Sequence, residues 1–298
     1  MKTMMIHLWK RMKATKGRFL FSMALCVFSV LFGTYIANQD IQSFRLEVMK
    51  DSNVLNQEGI ELVEVNKITQ SDLIMQKVDG LLLEDGKIQT RKGVIDLAVL
   101  TQQQGNQTQD VGTKILGFMV MFLMMQSVVY MMLFGEDKET HMTTRIFLCG
   151  IRKRNYFASH VLFSWLFIYI PCMLCLGILQ LFSIPIGYSL EKYAVLLAIY
   201  TLFSNVLIFF MYTIIKREDD ANMICSALIV LTSLLSGSFL GIQKTSGILA
   251  DLIELLPQKM FMKWGMGSIW NVEFIACFAI LILLFTTLSL FRMRKQVY

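Results

Sequence analysis

Six long apolar stretches restrict the fold of this chain more than any other feature of its sequence. They are Phe19–Ala37, Ile115–Phe134, Phe157–Ser183, Tyr193–Ile215, Met223–Ile242 and Val272–Phe291. A helix needs about 20 apolar residues to cross the hydrocarbon of a bilayer, and only helices or closed barrels satisfy their backbone polar groups there. Because the stretches lack the alternation of barrel strands, the sequence predicts an all-α polytopic membrane protein with six transmembrane helices.

The composition agrees with this class, since 55% of the residues are hydrophobic and only 17% are charged. The first stretch is too long for the apolar part of a signal peptide, and no small-residue cleavage site clearly follows Asn38. It is therefore predicted to remain in the protein as span one, at residues 19–37.

Lysine and arginine residues cluster at alternate connections between the stretches, which predicts the orientation. The basic connections are residues 1–18, 136–156, 216–217 and the C-terminus from residue 292. We expect a cell-membrane protein with both termini in the cytoplasm. Segment 38–112 carries 12 acidic and 7 basic residues although the whole chain is +6. The positive charge thus belongs to the cytoplasmic side, where anionic lipid and a protein partner are better explanations than nucleic acid.

Residues 1–18 are predicted to form a cytoplasmic interfacial elbow helix before span one. Its apolar side comprises Met5, Ile6, Trp9 and Met12. The alternative is a solvated basic tail, but a tryptophan favours the membrane interface.

Segment 38–112 is predicted to be an extracellular α+β domain. Ile60–Val65 has the pattern of a strand, and Val78–Leu83 with Glu84–Ile88 has the pattern of two strands joined by an Asp-Gly turn. The Gln-rich residues Thr101–Asp110 are predicted to be a solvated linker. The segment contains no His and no Cys, so no metal or catalytic site is predicted in it.

Residues 113–298 are predicted to form a five-span membrane domain that includes an outer segment at 243–271. Ile248–Leu256 follows helical spacing, and Pro257 is expected to stop that helix. Aromatic residues follow at Phe261, Trp264 and Trp270. This pattern favours a re-entrant or interfacial helix pair on the outer face.

The six cysteines lie in the apolar stretches or in the basic loop, so no disulfide-stapled outer domain is predicted. Cys172 and Cys175 have CxxC spacing inside a predicted span. We interpret them as small apolar packing residues rather than as metal ligands or a redox motif.

Two local patterns accompany the topology of elbow helix, span, outer domain and five further spans. Loop 136–156 has an acidic stretch, a basic-apolar helix, a basic turn and a return helix. Leu234–Leu240 gives a Ser-Gly-aromatic end to span five, and an outer segment then leads to Leu255–Pro257. Together the topology and these patterns resemble ABC transporter permeases of the type-2 exporter class. His141, Gly150 and His160 depart from that resemblance, since Gly, Pro and Lys are usual at these positions.

The resemblance implies a permease that works as a homo- or heterodimer with two cytoplasmic ABC ATPases. The chain is not expected to be an enzyme, because its only partial P-loop match, Gly241–Thr245, lacks the second glycine. ATP and Mg are expected on the partner ATPase. Loop 136–156 is expected to couple the two proteins, through Glu136, Glu139, Arg145, Ile146, Phe147, Arg152, Lys153 and Arg154. Alternatively, the basic residues of the loop only contact lipid headgroups.

The interiors of the spans carry essentially no ionisable residues, unlike those of ion-coupled carriers. No metal site is predicted. The pathway between two copies has three candidate polar residues, Gln126, Asn205 and Ser236. Methionines of span two can adapt to a hydrophobic or amphipathic cargo, although they suit plain packing equally well.

We therefore expect the permease subunit of an ATP-driven exporter that moves a peptide, an antibiotic or a lipid-like molecule outward. One alternative is a secondary carrier or channel, which mid-membrane charge or an inverted repeat would support. Another is a non-transporting sensor or assembly protein. A membrane enzyme is the least favoured alternative, since no cluster of residues has catalytic spacing.

Overall fold

The chain divides into two compact units, Met1–Ile36 with Gly112–Tyr298, and Ala37–Val111. A computed structural model describes residues 2–39, 44–49, 60–65, 80–82, 87–90, 93–237, 252–268 and 270–295. The elements are α1 (Lys2–Ala14), α2 (Lys16–Gln39), β1 (Phe44–Met49), β2 (Ile60–Val65), β3 (Gly80–Leu82), β4 (Lys87–Thr90), β5 (Gly93–Asp96), α3 (Leu97–Glu139), α4 (Met142–Leu148), α5 (Lys153–Leu181), α6 (Leu190–Ile214), α7 (Glu218–Leu235), α8 (Pro257–Met266) and α9 (Val272–Lys295).

The unit Ala37–Val111 contains a five-stranded sheet with the order β2-β1-β3-β4-β5. β1 is parallel to β2 and to β3, whereas β4 is antiparallel to β3 and to β5. β2 covers the residues for which the alternation predicts a strand. β3 and β4 lie where the sequence predicts two strands, and the predicted Asp-Gly turn between them falls outside the described residues.

The predicted linker Thr101–Asp110 is wrong, because these residues belong to the first part of α3. Glutamine has a good helix propensity, and the segment contains no proline that would interrupt a helix. Polarity therefore indicated solvent exposure without indicating an irregular backbone.

Five helices of the described chain are long and apolar enough to cross a membrane. They are Lys16–Ala37, Val111–Glu139, Lys153–Leu181, Leu190–Ile214 and Val272–Met293. The shortest has 22 residues and spans about 33 Å at 1.5 Å per residue, which matches the hydrocarbon thickness. Each coincides with a predicted span, so the chain is a multi-pass membrane protein.

The predicted span Met223–Ile242 differs from the other five. The described helix in this region, α7, runs from Glu218 to Leu235, and residues 238–242 lie outside the described part of the chain. Three carboxylates occupy its first turn, at Glu218, Asp219 and Asp220. They suit the positive end of the helix dipole but shorten the apolar part of the described helix. The count of six spans is therefore not established by the described residues.

The core of the membrane unit lies around α6, which packs against α5 and α9. Phe134 of α3 stacks on Phe209 of α6 with their ring centroids 4.3 Å apart. Tyr200 of α6 contacts Phe261 of α8 at 4.4 Å. These rings join α3, α6 and α8.

The helix α8 begins at Pro257. Proline suits this position because the N–H of the first helical residue makes no hydrogen bond within the helix. Phe261 and Trp264 are fully buried, and Trp264 stacks on Phe278 of α9. These two aromatic residues therefore pack inside the protein, whereas Trp270 is exposed. Of the helix predicted over Ile248–Leu256, residues 252–254 are helical and residues 255–256 form a turn before Pro257, whereas residues 248–251 lie outside the described part of the chain.

The predicted elbow helix is present as α1, but its buried side differs from the predicted apolar side. Met4, Leu8 and Met12 are buried, whereas Ile6 and Trp9 are exposed. The helix α1 packs against α5, and Trp9, at the edge of this contact, lies flat on Phe167 with their ring centroids 5.1 Å apart.

Candidate functional site

Loop 136–156 is built from the end of α3, the short helix α4 and the start of α5. Its predicted coupling residues differ in contacts and exposure. The acidic residues Glu136 and Glu139 contact other helices of the chain. Ile146, Phe147 and Lys153 are half-buried, whereas Arg145, Arg152 and Arg154 are exposed. The structure thus separates an internal part of the loop from an exposed part.

The acidic end of α3 is tied to α1 and α2 by ion pairs. Glu136 pairs with Arg11 at 3.0 Å and also with Arg18. Arg11 pairs in addition with Asp137, which is only 1% exposed. Removing a buried carboxylate from water is costly unless charges and hydrogen bonds compensate it. Arg11 therefore holds the elbow helix α1 against the end of α3, and Arg18 holds α2 there.

Asp137 also connects α3 to α5. The Tyr156 hydroxyl donates to Asp137 Oδ2 at 2.7 Å, and His160 Nε2 lies 3.8 Å from the same oxygen. Both aromatic side chains are buried. We call Arg11, Arg18, Glu136, Asp137 and Tyr156 the arginine–carboxylate cluster.

Tyr156 extends this cluster to α4. The Phe147 ring meets the Tyr156 ring edge-on at 5.4 Å, and Lys153 Nζ lies 5.6 Å above the Phe147 ring. Lys153 also donates to the Met293 carbonyl near the end of α9 at 3.1 Å. The inner face of α4 is therefore in contact, through two aromatic rings, with the residues that hold α1.

The last turn of α3 also holds the turn between α6 and α7. Lys138 Nζ donates to the carbonyls of Tyr212, at 3.0 Å, and of Ile215. The Glu218 backbone N–H donates to Glu139 Oε1 at 2.6 Å. A cation thus caps the C-terminus of α6 and a carboxylate caps the N-terminus of α7, as the helix dipoles favour.

Glu218 is an unusual carboxyl group next to this turn. Burial, followed by the nearby Glu136 carboxylate, raises the pKa of Glu218 from 4.5 to about 7, while Arg18 acts in the opposite direction. The backbone of Gly135 approaches it closely, because a Cβ at that position would lie 2.8 Å from Glu218 Cγ. The contact requires a glycine there.

The ends of α4 explain two departures from the resemblance noted in the sequence. His141 has φ of 54° and Gly150 has φ of 83°, both in the left-handed region that glycine adopts most easily. A glycine would therefore suit position 141. Proline, whose φ is fixed near −65°, cannot take the observed conformation of Gly150.

The exposed part of the loop combines apolar and basic side chains. We call Arg145, Leu148, Ile151, Arg152 and Arg154 the α4 surface. Leu148 is 81% exposed and Ile151 is 37% exposed, although both are large and apolar. The three arginines beside them are also exposed. Such a patch is suited to a partner with an apolar groove and acidic rim, or to anionic lipid.

The three predicted pathway residues Gln126, Asn205 and Ser236 are buried within the chain. The amide of Asn205 has no hydrogen-bond partner among the described residues. Their burial indicates that they face protein rather than lipid, and their role in a pathway stays a prediction.

A separate cavity of about 170 Å³ lies between α3, α6, α7 and α8. Its walls are largely apolar and include Met124, Met211, Cys225, Leu228 and Gln258. None of the three predicted pathway residues is among the described residues that line it.

The site also contains Arg11, Arg18, Asp137 and Tyr156, which the sequence did not predict as site residues. In the sequence, Asp137 follows an apolar run and the two arginines belong to a basic tail. Charges at such positions usually lie at the membrane surface without a specific role. The only available signal was Asp137, which directly follows Glu136 in the acidic stretch. Among the described residues, no group of three or more His, Cys, Asp or Glu side chains could hold a metal ion.

A comparison with known families gives one match to the chain. A family model described as an ABC-2 family transporter protein matches residues 50–291. No curated protein and no solved structure matches the chain significantly. The family match covers more than half of the chain and includes α3 to α8 with the arginine–carboxylate residues of α3 and α5. The chain therefore belongs to the ABC-2 transporter family and is a permease subunit of an ABC transporter.

Proposed function

We propose that this permease is the membrane subunit of an ATP-driven exporter and that the α4 surface binds a separate cytoplasmic ABC ATPase. The single observation that carries the proposal is the exposure of Leu148 between basic side chains in a chain of the ABC-2 family. Burial of such an exposed apolar side chain in a groove on a partner is expected to lower the free energy of the complex.

The basic residues of the α4 surface support an acidic rim on that partner. Arg145, Arg152 and Arg154 are exposed and can form charge-assisted hydrogen bonds with carboxylates. Glu136 and Glu139 are already engaged within the chain. We therefore restrict the proposed contact to the α4 surface and assign the two glutamates to holding α1 and α7.

We propose that motion of α4 is passed to the elbow helix through Phe147, Tyr156, Asp137 and Arg11. The contacts are consecutive, from the 5.4 Å ring contact to the 2.7 Å hydrogen bond and the buried ion pair. A displacement of α4 by ATP binding on the partner would disturb one end of this series. Because Asp137 cannot lose its partners cheaply, α1, α3 and α5 are expected to move as one body.

The finer topology is part of the same proposal. We propose that residues 223–242, which comprise the apolar part of α7 and the segment after it, form a sixth span and that the basic ends of the helices lie in the cytoplasm. The unit Ala37–Val111 is then extracellular. This orientation is supported by the basic residues of α1, the loop 136–156 and the turn 216–217.

The proposed assembly is a permease dimer, of two identical or two different subunits, with two ATPases that bind ATP and Mg. Large apolar side chains of α7 and α9 are exposed in the single chain, including Met223, Leu231, Ile280 and Leu283. Lipid and a second permease can both cover such faces. We propose that a hydrophobic or amphipathic cargo, such as a peptide, an antibiotic or a lipid-like molecule, leaves the cell between the two permeases.

The proposal is tested by purifying the tagged chain in mild detergent from cells that express it at its native level. Co-purified proteins are identified by mass spectrometry, and ATP hydrolysis is measured for the wild type and for Arg145→Glu. We expect a P-loop protein in stoichiometric amount, with its recovery or its coupled hydrolysis lost in the variant, because charge reversal repels an acidic rim.

Lys216→Glu is the matched control, since Lys216 is an exposed cation on the α6–α7 turn and outside the α4 surface. It is expected to retain both the ATPase and its activity. Recovery of the chain without any ATPase under conditions that keep it monodisperse would overturn the proposal.

A further inference from the structure

Two cysteines from different helices approach each other inside the membrane unit. Cys26 Sγ of α2 lies 2.9 Å from Cys172 Sγ of α5. Cys26 is 1% exposed and Cys172 is fully buried. Both are free thiols, and a disulfide bond requires the two sulfurs to come to about 2.05 Å. The two sulfurs therefore need to approach by only about 1 Å to form a disulfide bond.

The approach is fixed by the packing of α2 rather than by the two thiols alone. One turn or two before Cys26, the Ser22 hydroxyl donates to the Tyr130 hydroxyl of α3 at 2.8 Å. Phe19 contacts Phe167 of α5 at 6.4 Å between ring centroids. Because α2 is held against α3 and α5 by these contacts, the two sulfurs are held near one another.

The residue before Cys172 makes this position mechanically distinctive. Pro171 lies inside α5 and has no N–H to donate to the Phe167 carbonyl. The turn between Phe167 and Cys172 therefore lacks one helical hydrogen bond and is the part of α5 that bends most easily. Phe167 also packs on Trp9 of α1, so this turn contacts both the elbow helix and span one.

We propose that Cys26 and Cys172 are an oxidisable pair whose disulfide joins α2 to α5 beside Pro171. Each thiol loses its hydrogen, one S–S bond forms, and two protons and two electrons pass to an oxidant. Since both thiols are buried in membrane-spanning helices, the oxidant must be lipid-soluble, and we assign the role to the quinone class, which becomes a quinol.

The consequence of oxidation is a covalent lock at the weak turn of α5. The reduced pair allows this turn to bend relative to α2, and the disulfide prevents it. CxxC spacing points instead to Cys172 and Cys175, but the sulfur contact in the folded chain is made by Cys26 from another helix. Sequence spacing alone therefore names the wrong partner.

The test uses the full chain in lipid nanodiscs, treated with decylubiquinone or, as the water-soluble counterpart, with oxidised glutathione. The chain is then unfolded in sodium dodecyl sulfate so that N-ethylmaleimide reaches every remaining thiol, and the peptides are analysed by mass spectrometry without reduction. We expect decylubiquinone to produce a linked Cys26–Cys172 peptide, with loss of the maleimide adducts at both residues. Oxidised glutathione is expected to modify the exposed Cys149 and to leave the pair reduced.

Two serine variants separate this pair from other thiols. In Cys26→Ser, Cys172 is expected to stay available to maleimide after quinone treatment. Cys225→Ser replaces a buried cysteine of α7 and is expected to leave the linked peptide unchanged. Full recovery of both maleimide adducts after quinone treatment would overturn the proposal, and so would a Cys172–Cys175 link that survives Cys26→Ser.

Discussion

At the residue scale, Asp137 is the most informative side chain because three helices depend on it. It is 1% exposed, it pairs with Arg11 of α1, and it accepts a hydrogen bond from Tyr156 of α5. Nothing in the local sequence distinguishes it from its neighbour Glu136. The difference between them arises only when α1 and α5 pack around the end of α3.

Replacing Asp137 by Ala is expected to destabilise the fold strongly. The change leaves the Arg11 guanidinium and the Tyr156 hydroxyl without their partner, and breaking a buried ion pair costs about 3–5 kcal/mol. Denaturant unfolding in detergent, followed by tryptophan fluorescence, measures the loss. Asp219→Ala, which removes an exposed carboxylate of α7, is the control and should have little effect. Equal stability of the two variants would contradict the role assigned to Asp137.

The left-handed conformation of His141 gives a second prediction at this scale. His141→Gly is expected to keep or increase the melting temperature, whereas His141→Val is expected to cost about 1–2 kcal/mol, because a β-branched residue resists φ of 54°. The order should reverse at Thr144, inside α4, where valine is more favourable in a helix than glycine. Thr144→Val is therefore expected to be more stable than Thr144→Gly. The same order at both positions would show that the α4 turn has a different backbone.

At the scale of elements, the last turn of α3 acts as a cap for two other helices. Lys138 binds carbonyls at the end of α6, and Glu139 binds the first N–H of α7. The described helix α7 begins with three carboxylates, so its position depends on these caps as well as on apolar packing.

Removal of the Lys138 cap is expected to loosen the α6–α7 turn. Lys138→Met keeps the length of the side chain but loses two hydrogen bonds to carbonyls, at a cost of about 1–3 kcal/mol. Hydrogen exchange at residues 212–220 should accelerate in this variant. Lys216→Met, which changes an exposed lysine of the same turn, should leave exchange unchanged, and identical exchange in both variants would contradict the capping role.

Glu218 gives this region a dependence on pH. Its pKa is raised from 4.5 to about 7, mainly by burial. Between these values the folded chain keeps a proton that the unfolded chain has lost, so the contribution of Glu218 to stability falls as the pH rises. The melting temperature of the wild type should therefore decrease relative to that of Glu218→Gln from pH 5 to pH 7. A constant difference between the two proteins across this range would contradict the raised pKa.

The sequence predicted the elements whose cause is local and missed those whose cause is not. Five spans followed from runs of apolar residues, because the need to cross hydrocarbon acts on each run separately. The linker predicted at Thr101–Asp110 was wrong because polarity does not separate a polar helix from a linker. The ion pair of Arg11 and Asp137 joins residues 126 positions apart, and no periodicity in either segment indicates it.

At the scale of the whole molecule, the chain combines a membrane unit with a sheet-containing unit in one polypeptide. The family match fixes its class as an ABC-2 permease, and the predicted topology led to the same family. The buried side of α1 and the internal engagement of Glu136 and Glu139 could not be predicted, since both depend on which helices become neighbours. The α4 surface is what remains of the predicted coupling loop once these internal contacts are removed.

Binding of a cytoplasmic ATPase to the α4 surface can be measured directly through Cys149. This cysteine is exposed and lies immediately after Leu148. A maleimide-benzophenone probe is attached to it in inverted membrane vesicles, in which the cytoplasmic face is accessible, and is then activated by light. We expect a crosslink to a P-loop ATPase that disappears in Cys149→Ser. Crosslinks to lipid alone, or labelling of Cys149 only from the opposite face of the membrane, would show that the α4 surface does not bind an ATPase in the cytoplasm.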